Sequence, residues 1–249
     1  MYKIYIVGGY VRDKLLNIDS KDIDFCFVIE DPKVKILDEG YQIMKKYLVE
    51  EGFTIFLEKE SMVTLRARFP KDYHLSQYTN KTADFVLSRK EISYSNTSRH
   101  PELEIGSLWD DLIRRDFTVN SMAQDLDGNI IDFFNGKEDL KNKILKTPID
   151  PLKTMLDDPL RLLRALRFSI TKDFKIDEKL YQAMIDENVI NKLFLTVSQE
   201  RIKNELHKMF SYSTTKSLEI LNKFNNDCPN FINRIFSNNM WLIPTTKKN

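Results

Sequence analysis

Asp22 and Asp24 stand one residue apart in Lys21-Asp22-Ile23-Asp24-Phe25-Cys26-Phe27-Val28, a run that otherwise reads as a strand. Successive side chains on a strand point to opposite faces, so positions i and i+2 bring both carboxylates to one face while Ile23 and Phe25 enter the core. Two hard oxygen donors then share one small volume. Mg²⁺ is commonly held by one or two carboxylates together with substrate phosphates, so the pair is a candidate metal site and catalytic centre for phosphate chemistry.

A chain of 249 residues, 42% hydrophobic and 30% charged, has the makings of one large or two modest globular domains. No run approaches the roughly 18 consecutive apolar residues of a membrane span. Met1 to Val7 leads straight into Gly8-Gly9 without a secretory cleavage pattern, so a cytoplasmic protein with no membrane partner is expected. Cys26 and Cys228 are the only cysteines, and His74, His100 and His207 are scattered. Neither a disulfide framework nor a zinc site has the spacing it needs. Charge is divided along the chain: residues 1–140 hold 19 basic and 25 acidic side chains, residues 141–249 hold 19 and 12. The basic half suits a phosphate backbone, although a mixed solvated surface gives the same split.

Residues 2–7 and 23–29 read as mostly buried strands, and 38–52 as a helix with Ile43, Met44, Tyr47 and Leu48 at helical spacing and Gly52 as its C-cap. Residues 54–58, 62–68 and 83–88 add strands, 70–81 has the character of a loop, and 93–101 of a mobile one. Past Gly136 helices follow one another, over 157–171, 178–188, 198–210 and 214–224. Ser198 is the expected N-cap of the third, with Arg201 and Glu205 at i,i+4 spacing. Residues 225–249 form a polar end with one apolar cluster, Met240 to Ile243. Domain limits are expected at 1–140, 141–212 and 213–249.

Gly8-Gly9 at a strand-to-helix turn lets the backbone approach a phosphate, and Arg12 lies one turn into the helix; a tight turn without a ligand is the plain alternative. Asp84 in Ala83-Asp84-Phe85-Val86 is a third carboxylate in an apolar strand, where a metal would neutralise it unless it faces solvent. Arg114-Arg115-Asp116-Phe117-Thr118-Val119-Asn120 combines guanidiniums able to grip triphosphate oxygens with an amide able to meet a ribose hydroxyl. Local ion pairs at a helix start would look the same. From Asp157 to Phe168, helical spacing sets Asp158 beside Arg161 and Asp157 on the same face as Arg161 and Arg164. A capped helix accounts for this, and so does base recognition. Cytosine and adenine both present an amine donor beside a ring-nitrogen acceptor, which an Asp158 carboxylate and an Arg161 guanidinium would match.

Together, Gly8-Gly9-x-Val11-Arg12-Asp13-x-Leu15-Leu16, Asp22-x-Asp24, the Arg114–Asn120 motif, Asp125-x-x-Gly128 with Asp132 and Gly136, Asp157-Asp158-Pro159-Leu160-Arg161, and Ser198-x-Glu200-Arg201-Ile202 with Glu205 are recognisable. They resemble the class II CCA-adding tRNA nucleotidyltransferases and the bacterial-type poly(A) polymerases over residues 4–210. The resemblance implies an α+β fold: an N-terminal polymerase-β-like nucleotidyltransferase palm, a mixed sheet with helices, followed by an all-helical neck. It implies Asp22 and Asp24 as catalytic Mg²⁺ ligands with Asp84 as a third carboxylate. Gly8, Gly9 and Arg12 would hold the triphosphate, Arg115, Asp116 and Asn120 would position the nucleotide, and Asp158 and Arg161 would select the base with Arg164 nearby. Residues 70–81 fall where the family keeps the flexible loop tied to adding the final A. Residues 213–249 would be a short remnant of the body domain.

The reaction so implied is template-independent addition of C and A from CTP and ATP to the 3′ end of a tRNA or another RNA, with release of pyrophosphate. A poly(A) polymerase, or an enzyme restricted to A or CC addition, carries the same motifs. A non-catalytic RNA-binding protein on this fold is the rival from another class, and it has no need of both aspartates.

Overall fold

β1 (Tyr2–Val7) pairs antiparallel with β2 (Asp22–Ile29), setting Val7 opposite Asp24. The computed structural model describes residues 1–20, 22–73, 82–93 and 102–237, and the chain divides into the units Met1–Lys137 and Glu138–Asn249.

In the first unit, α1 (Gly9–Leu15) follows directly on Gly8, whose φ of 74° costs a glycine little. α2 (Leu37–Glu50) stops at Gly52, φ 77°. There Gly52 N donates to Val49 O at 3.1 Å and Phe53 N to Leu48 O at 2.9 Å, the paired bonds of a Schellman end, so the expected glycine cap is present. β3 (Thr54–Lys59), β4 (Thr64–Arg68) and β5 (Thr82–Leu87) follow. The strand expected from 62 begins only at Thr64, because Glu60–Met62 form a 3₁₀ turn and Val63 takes φ 46°. The loop expected over 70–81 lies, from 74 onward, outside the described residues.

β6 (Arg89–Ser93) and β7 (Glu102–Ile105) form a separate antiparallel pair, so Ser93 ends a strand rather than opening a loop; residues 94–101 lie outside the described ones. Arg89-Lys90-Glu91-Ile92-Ser93 has no apolar alternation to announce it. α3 (Leu108–Ile113) opens with a reciprocal capping box between Ser107 and Asp110. β8 (Met122–Gln124) and β9 (Ile130–Asp132) complete a seven-stranded mixed sheet of order β3-β4-β5-β2-β1-β8-β9. β2 and β5 run parallel; the other neighbours are antiparallel.

One face of this sheet is aromatic. Phe25 stacks on Phe85 at a centroid distance of 4.6 Å, Phe53 meets Phe85 edge-on, and α2 lays Tyr47 against Phe27. Each of the buried phenylalanine rings contributes about 1.5–3 kcal/mol through its removal from water. The other face is covered only in part: Leu108 and Leu112 of α3 pack on Val7, Cys26, Val28 and Ala123. The two faces of β2 therefore differ in kind, and the acidic one stays open at the Asp22 end.

Among its described residues the second unit is helical apart from one two-residue ladder, in which β10 (Ile144–Leu145) runs parallel to β11 (Lys175–Ile176); α4 (Gly136–Lys141) leads into it. α5 (Pro151–Asp157) starts with Asp150 as N-cap and Pro151 in the first turn. The helix expected over 157–171 does not begin at Asp157, which instead ends α5. Asp158 is extended (φ −141°, ψ 96°) and α6 (Leu160–Thr171) starts after Pro159. The physical cause is Pro159: a proline disfavours the helical region for the residue before it. Asp157 accordingly does not share a helix with Arg161 and Arg164.

The helix expected over 178–188 is likewise divided, into α7 (Glu178–Met184) and α8 (Glu187–Thr196), because Asp186 turns its side chain to cap the Asn188 and Val189 amides. α9 (Gln199–Tyr212) has the expected Ser198 cap, which accepts from Arg201 N. α10 (Thr214–Asp227) and α11 (Phe231–Ile235) run into the stretch expected to be a polar end; the cluster from Met240 to Ile243 lies outside the described residues.

Candidate active site

Register places the three aspartates on the open face of the first unit's sheet. Asp24 of β2 is the direct partner of Asp84 on β5, which is in turn the partner of Arg66 on β4. One step along, Asp22 partners Thr82, and Thr82 partners Arg68. Asp22 and Asp24 share this face, while Ile23 and Phe25 are fully buried on the other.

Asp22 is exposed and accepts a hydrogen bond from Thr82 Oγ1 at 3.3 Å. Asp24 is half-buried. Burial pushes its carboxyl above the usual range, Arg115 opposes that, and the like charges of Asp84, Asp22 and Asp111 add to it. Asp84 is committed elsewhere: Arg66 grips it bidentately, Nε to Oδ1 and Nη2 to Oδ2, both at 2.5 Å. Among the described residues no three Asp, Glu, His or Cys side chains converge as a metal-binding group. The carboxylates that remain toward a cation are Asp22 and Asp24.

Gly8 closes the site on the β1 side. A Cβ there would lie 2.6 Å from Arg115 Nη1 and 3.5 Å from Asp24 Oδ2, so the bare glycine is what lets guanidinium and carboxylate flank the turn. Arg115 is itself aimed by Asp111, which takes its Nε and Nη2 on Oδ2 and Arg114 Nη2 on Oδ1.

Arg12, expected at a triphosphate, turns inward. Its Nε and Nη2 donate to Asp13 and its Nη1 to Asn120 Oδ1 at 2.5 Å. Asn120 Nδ2 donates to Asp116 Oδ1, which also accepts from Phe117 N, each at 2.8 Å. Arg12, Asp116 and Asn120 are all buried, and their network ties α1 to the 116–120 segment. A Cβ on Gly9 would meet Arg12 Nη2 at 3.4 Å, ordinary van der Waals contact, so this network does not itself require the glycine.

In the second unit Asp158 accepts from Leu160 N at 3.2 Å and from Arg201 Nη2 at 2.9 Å. Arg161 Nη1 donates to Thr154 O at 3.1 Å. The i,i+4 spacing of Arg201 and Glu205 does not produce a pair: Arg201 goes to Asp158, and Glu205 lies buried among Arg167 at 2.6 Å, Lys208 at 3.1 Å and Arg164 at 3.9 Å. Burial alone would raise the Glu205 carboxyl, but Arg167, then Arg164 and Lys208, carry it below the ordinary range.

Sequence reasoning passed over Asp111 and Arg66. Asp111 was detectable, since it precedes Arg114 and Arg115 by three and four residues in a helical stretch. For Arg66 only an outward strand position could be read; its partner depends on sheet order.

A family model for the poly(A) polymerase head domain matches residues 4–146. A tRNA nucleotidyltransferase of Schizosaccharomyces pombe is 33% identical over 226 residues, 88% of this chain and 46% of that protein. A CCA-adding enzyme of Lactobacillus helveticus is 33% identical over 209 residues, 84% of this chain and 46% of that one. Among solved structures, a tRNA nucleotidyltransferase complexed with a primer tRNA and an incoming ATP analog matches with a TM-score of 0.68 at 28% identity, covering 96% of this chain and 61% of that chain. The Bacillus stearothermophilus CCA-adding enzyme in complex with CTP matches with a TM-score of 0.69 at 25% identity, covering 92% and 50%. The chain spans about half the length of the curated relatives it matches.

Proposed function

The chain belongs to the poly(A) polymerase head-domain family, and from that premise we propose that it adds nucleotides from CTP and ATP to the 3′ end of an RNA, a tRNA end receiving CCA being the favoured acceptor. The observation that carries this reading is the placing of Asp22 and Asp24 on one open face, one strand from the glycine turn that Arg115 flanks. The similar proteins named for tRNA nucleotidyl transfer, and the solved ones bound to CTP or to primer tRNA, support it.

The two carboxylates fit a divalent ion, with Mg²⁺ as the expected one. They are hard oxygen donors, and Asp24 sits where burial and neighbouring acids penalise its charge, a setting a cation relieves. When bound, the ion supplies charge neutralisation to the phosphates and acidity to the RNA 3′-hydroxyl. Beside the bare Gly8 turn, Arg115, oriented by Asp111, would present Nη1 to a triphosphate. The hydroxyl releases its proton to solvent, its oxygen bonds to the α-phosphorus as the bond to the α–β bridging oxygen breaks, and pyrophosphate leaves with the electron pair. Arg12, Asp116 and Asn120 hold the turn in place. In the second unit, an Asp158 carboxylate accepting from the exocyclic amine and an Arg161 guanidinium donating to the ring nitrogen would select C and A.

The description of the matched family model favours poly(A) tailing as the second reading. Products separate the two. With Mg²⁺ and tRNAs ending before, within and after CCA, each nucleotide is supplied alone and together and the 3′ ends are sequenced. C incorporated before a single A supports CCA addition, long A tails favour the second reading, and no addition to any RNA overturns both.

A further inference from the structure

The open face of the sheet continues past the carboxylates onto β4 and β3, and its character changes there. Thr82 and Asp84 on β5 are followed by Arg68 and Arg66 on β4, and Arg66 is followed by Leu57 on β3, where a bulge between Ile55 and Leu57 inserts Phe56. Arg66 is spent on Asp84. Arg68 is exposed and, among the described residues, has no carboxylate partner. Its guanidinium lies over the Phe56 ring, 5.5 Å from the centroid, and that ring is 48% exposed. A solvent-facing ring joined to an unpaired guanidinium offers a plane for a base and a charge for a phosphate, the two features repeated along a single-stranded nucleic acid.

Strand order gives this pair a defined place relative to the chemistry. Asp22 and Asp24 lie on β2, the Gly8–Arg115 corner follows β1 on one side, and Phe56 and Arg68 lie toward the other edge. In-line displacement puts the attacking and leaving oxygens on opposite sides of the α-phosphorus. With the triphosphate on the glycine side, the attacking RNA end comes from the β4 side. Arg68 stands two strand spacings, about 10 Å, from Asp22, so a nucleotide held there precedes the reacting terminus.

We propose that Phe56 and Arg68 form a subsite for the RNA chain just upstream of its 3′ end, Phe56 stacking a base and Arg68 pairing a phosphate. The inference rests on the transfer reading given above and adds the side from which the acceptor enters.

The test compares wild type, Phe56→Ala, Phe56→Trp and Arg68→Gln by steady-state addition to a tRNA lacking its terminal nucleotides, and by anisotropy binding of the same labelled RNA without nucleotide. Phe56→Ala and Arg68→Gln are expected to raise both the RNA KM and the RNA Kd by about tenfold, with the CTP KM and kcat within about twofold, and Phe56→Trp to restore RNA binding. Unchanged RNA KM and Kd in both variants, or a rise confined to the CTP KM, overturns the subsite. A wild type that adds nothing to RNA is a failure of the transfer reading itself, seen before any variant is compared.

Discussion

Asp111 holds Arg115 by two hydrogen bonds to a single carboxylate oxygen, 2.7 Å from Nη2 and 3.0 Å from Nε, while its second oxygen takes Arg114 at 2.6 Å. The carboxylate is 1% exposed, and burial alone would raise its pKa; the charges of Arg115 and Arg114 bring it below the ordinary range instead. Removing one partner of a buried pair leaves uncompensated charge behind. Asp111→Ala is therefore expected to cost about 3–5 kcal/mol in urea unfolding, and a loss below about 1 kcal/mol would show that the two guanidiniums find other anchors.

Gly8→Ala tests the turn. The backbone there has φ 74°, and the added methyl would stand 2.6 Å from Arg115 Nη1, the end of a flexible side chain, so the arginine gives way and the fold survives. A stability loss of about 1–3 kcal/mol is expected from the strained residue. Displacement of the guanidinium should lower nucleotide transfer by about a hundredfold. Retention of wild-type kinetics would remove Arg115 from the triphosphate site.

Asp24→Asn should make the protein more stable and less active. The folded-state pKa of Asp24 is raised, so its contribution to stability is full below the unfolded value of about 3.9 and is lost as pH rises through the folded value. Without divalent ions the Asn variant should melt above wild type at pH 7, and the gap should close in acid. Turnover should fall by at least about a thousandfold. Near-normal turnover would take the metal assignment away from this residue.

Asp158→Ala should relax base choice more than it slows transfer, because a site built to hydrogen-bond one edge rejects a partner that leaves it unpaired. Competition of CTP and ATP against UTP and GTP reads this directly. Arg201→Gln, which removes the 2.9 Å partner that orients the carboxylate, should shift discrimination in the same direction by less. Selectivity equal to wild type in Asp158→Ala would exclude the residue from base reading.

Features that depend on residues close in the chain were legible. Alternation puts Asp22 and Asp24 on one face, a glycine at 52 ends a helix, and a serine at 198 begins one. Where local signals compete, spacing alone misleads: amphipathic periodicity after Asp157 runs through a proline that breaks the helix, and Asp186 sits at a helix-interior spacing although it caps the next helix. The charged strand Arg89–Ser93 carried no periodicity at all, since its hydrogen bonds to Glu102–Ile105 do not require an apolar face.

Periodicity over a few residues thus determined which carboxylates stand together, because the geometry of a strand or helix is set by the backbone alone. Which distant partner a charged group meets was decided only by the tertiary structure. Arg66 reaches Asp84 across 18 residues, Asp158 meets Arg201 across 43, and Arg12 meets Asn120 across 108. Such partners are chosen by strand order and helix packing, which bring distant groups within the few ångströms over which a charged hydrogen bond acts.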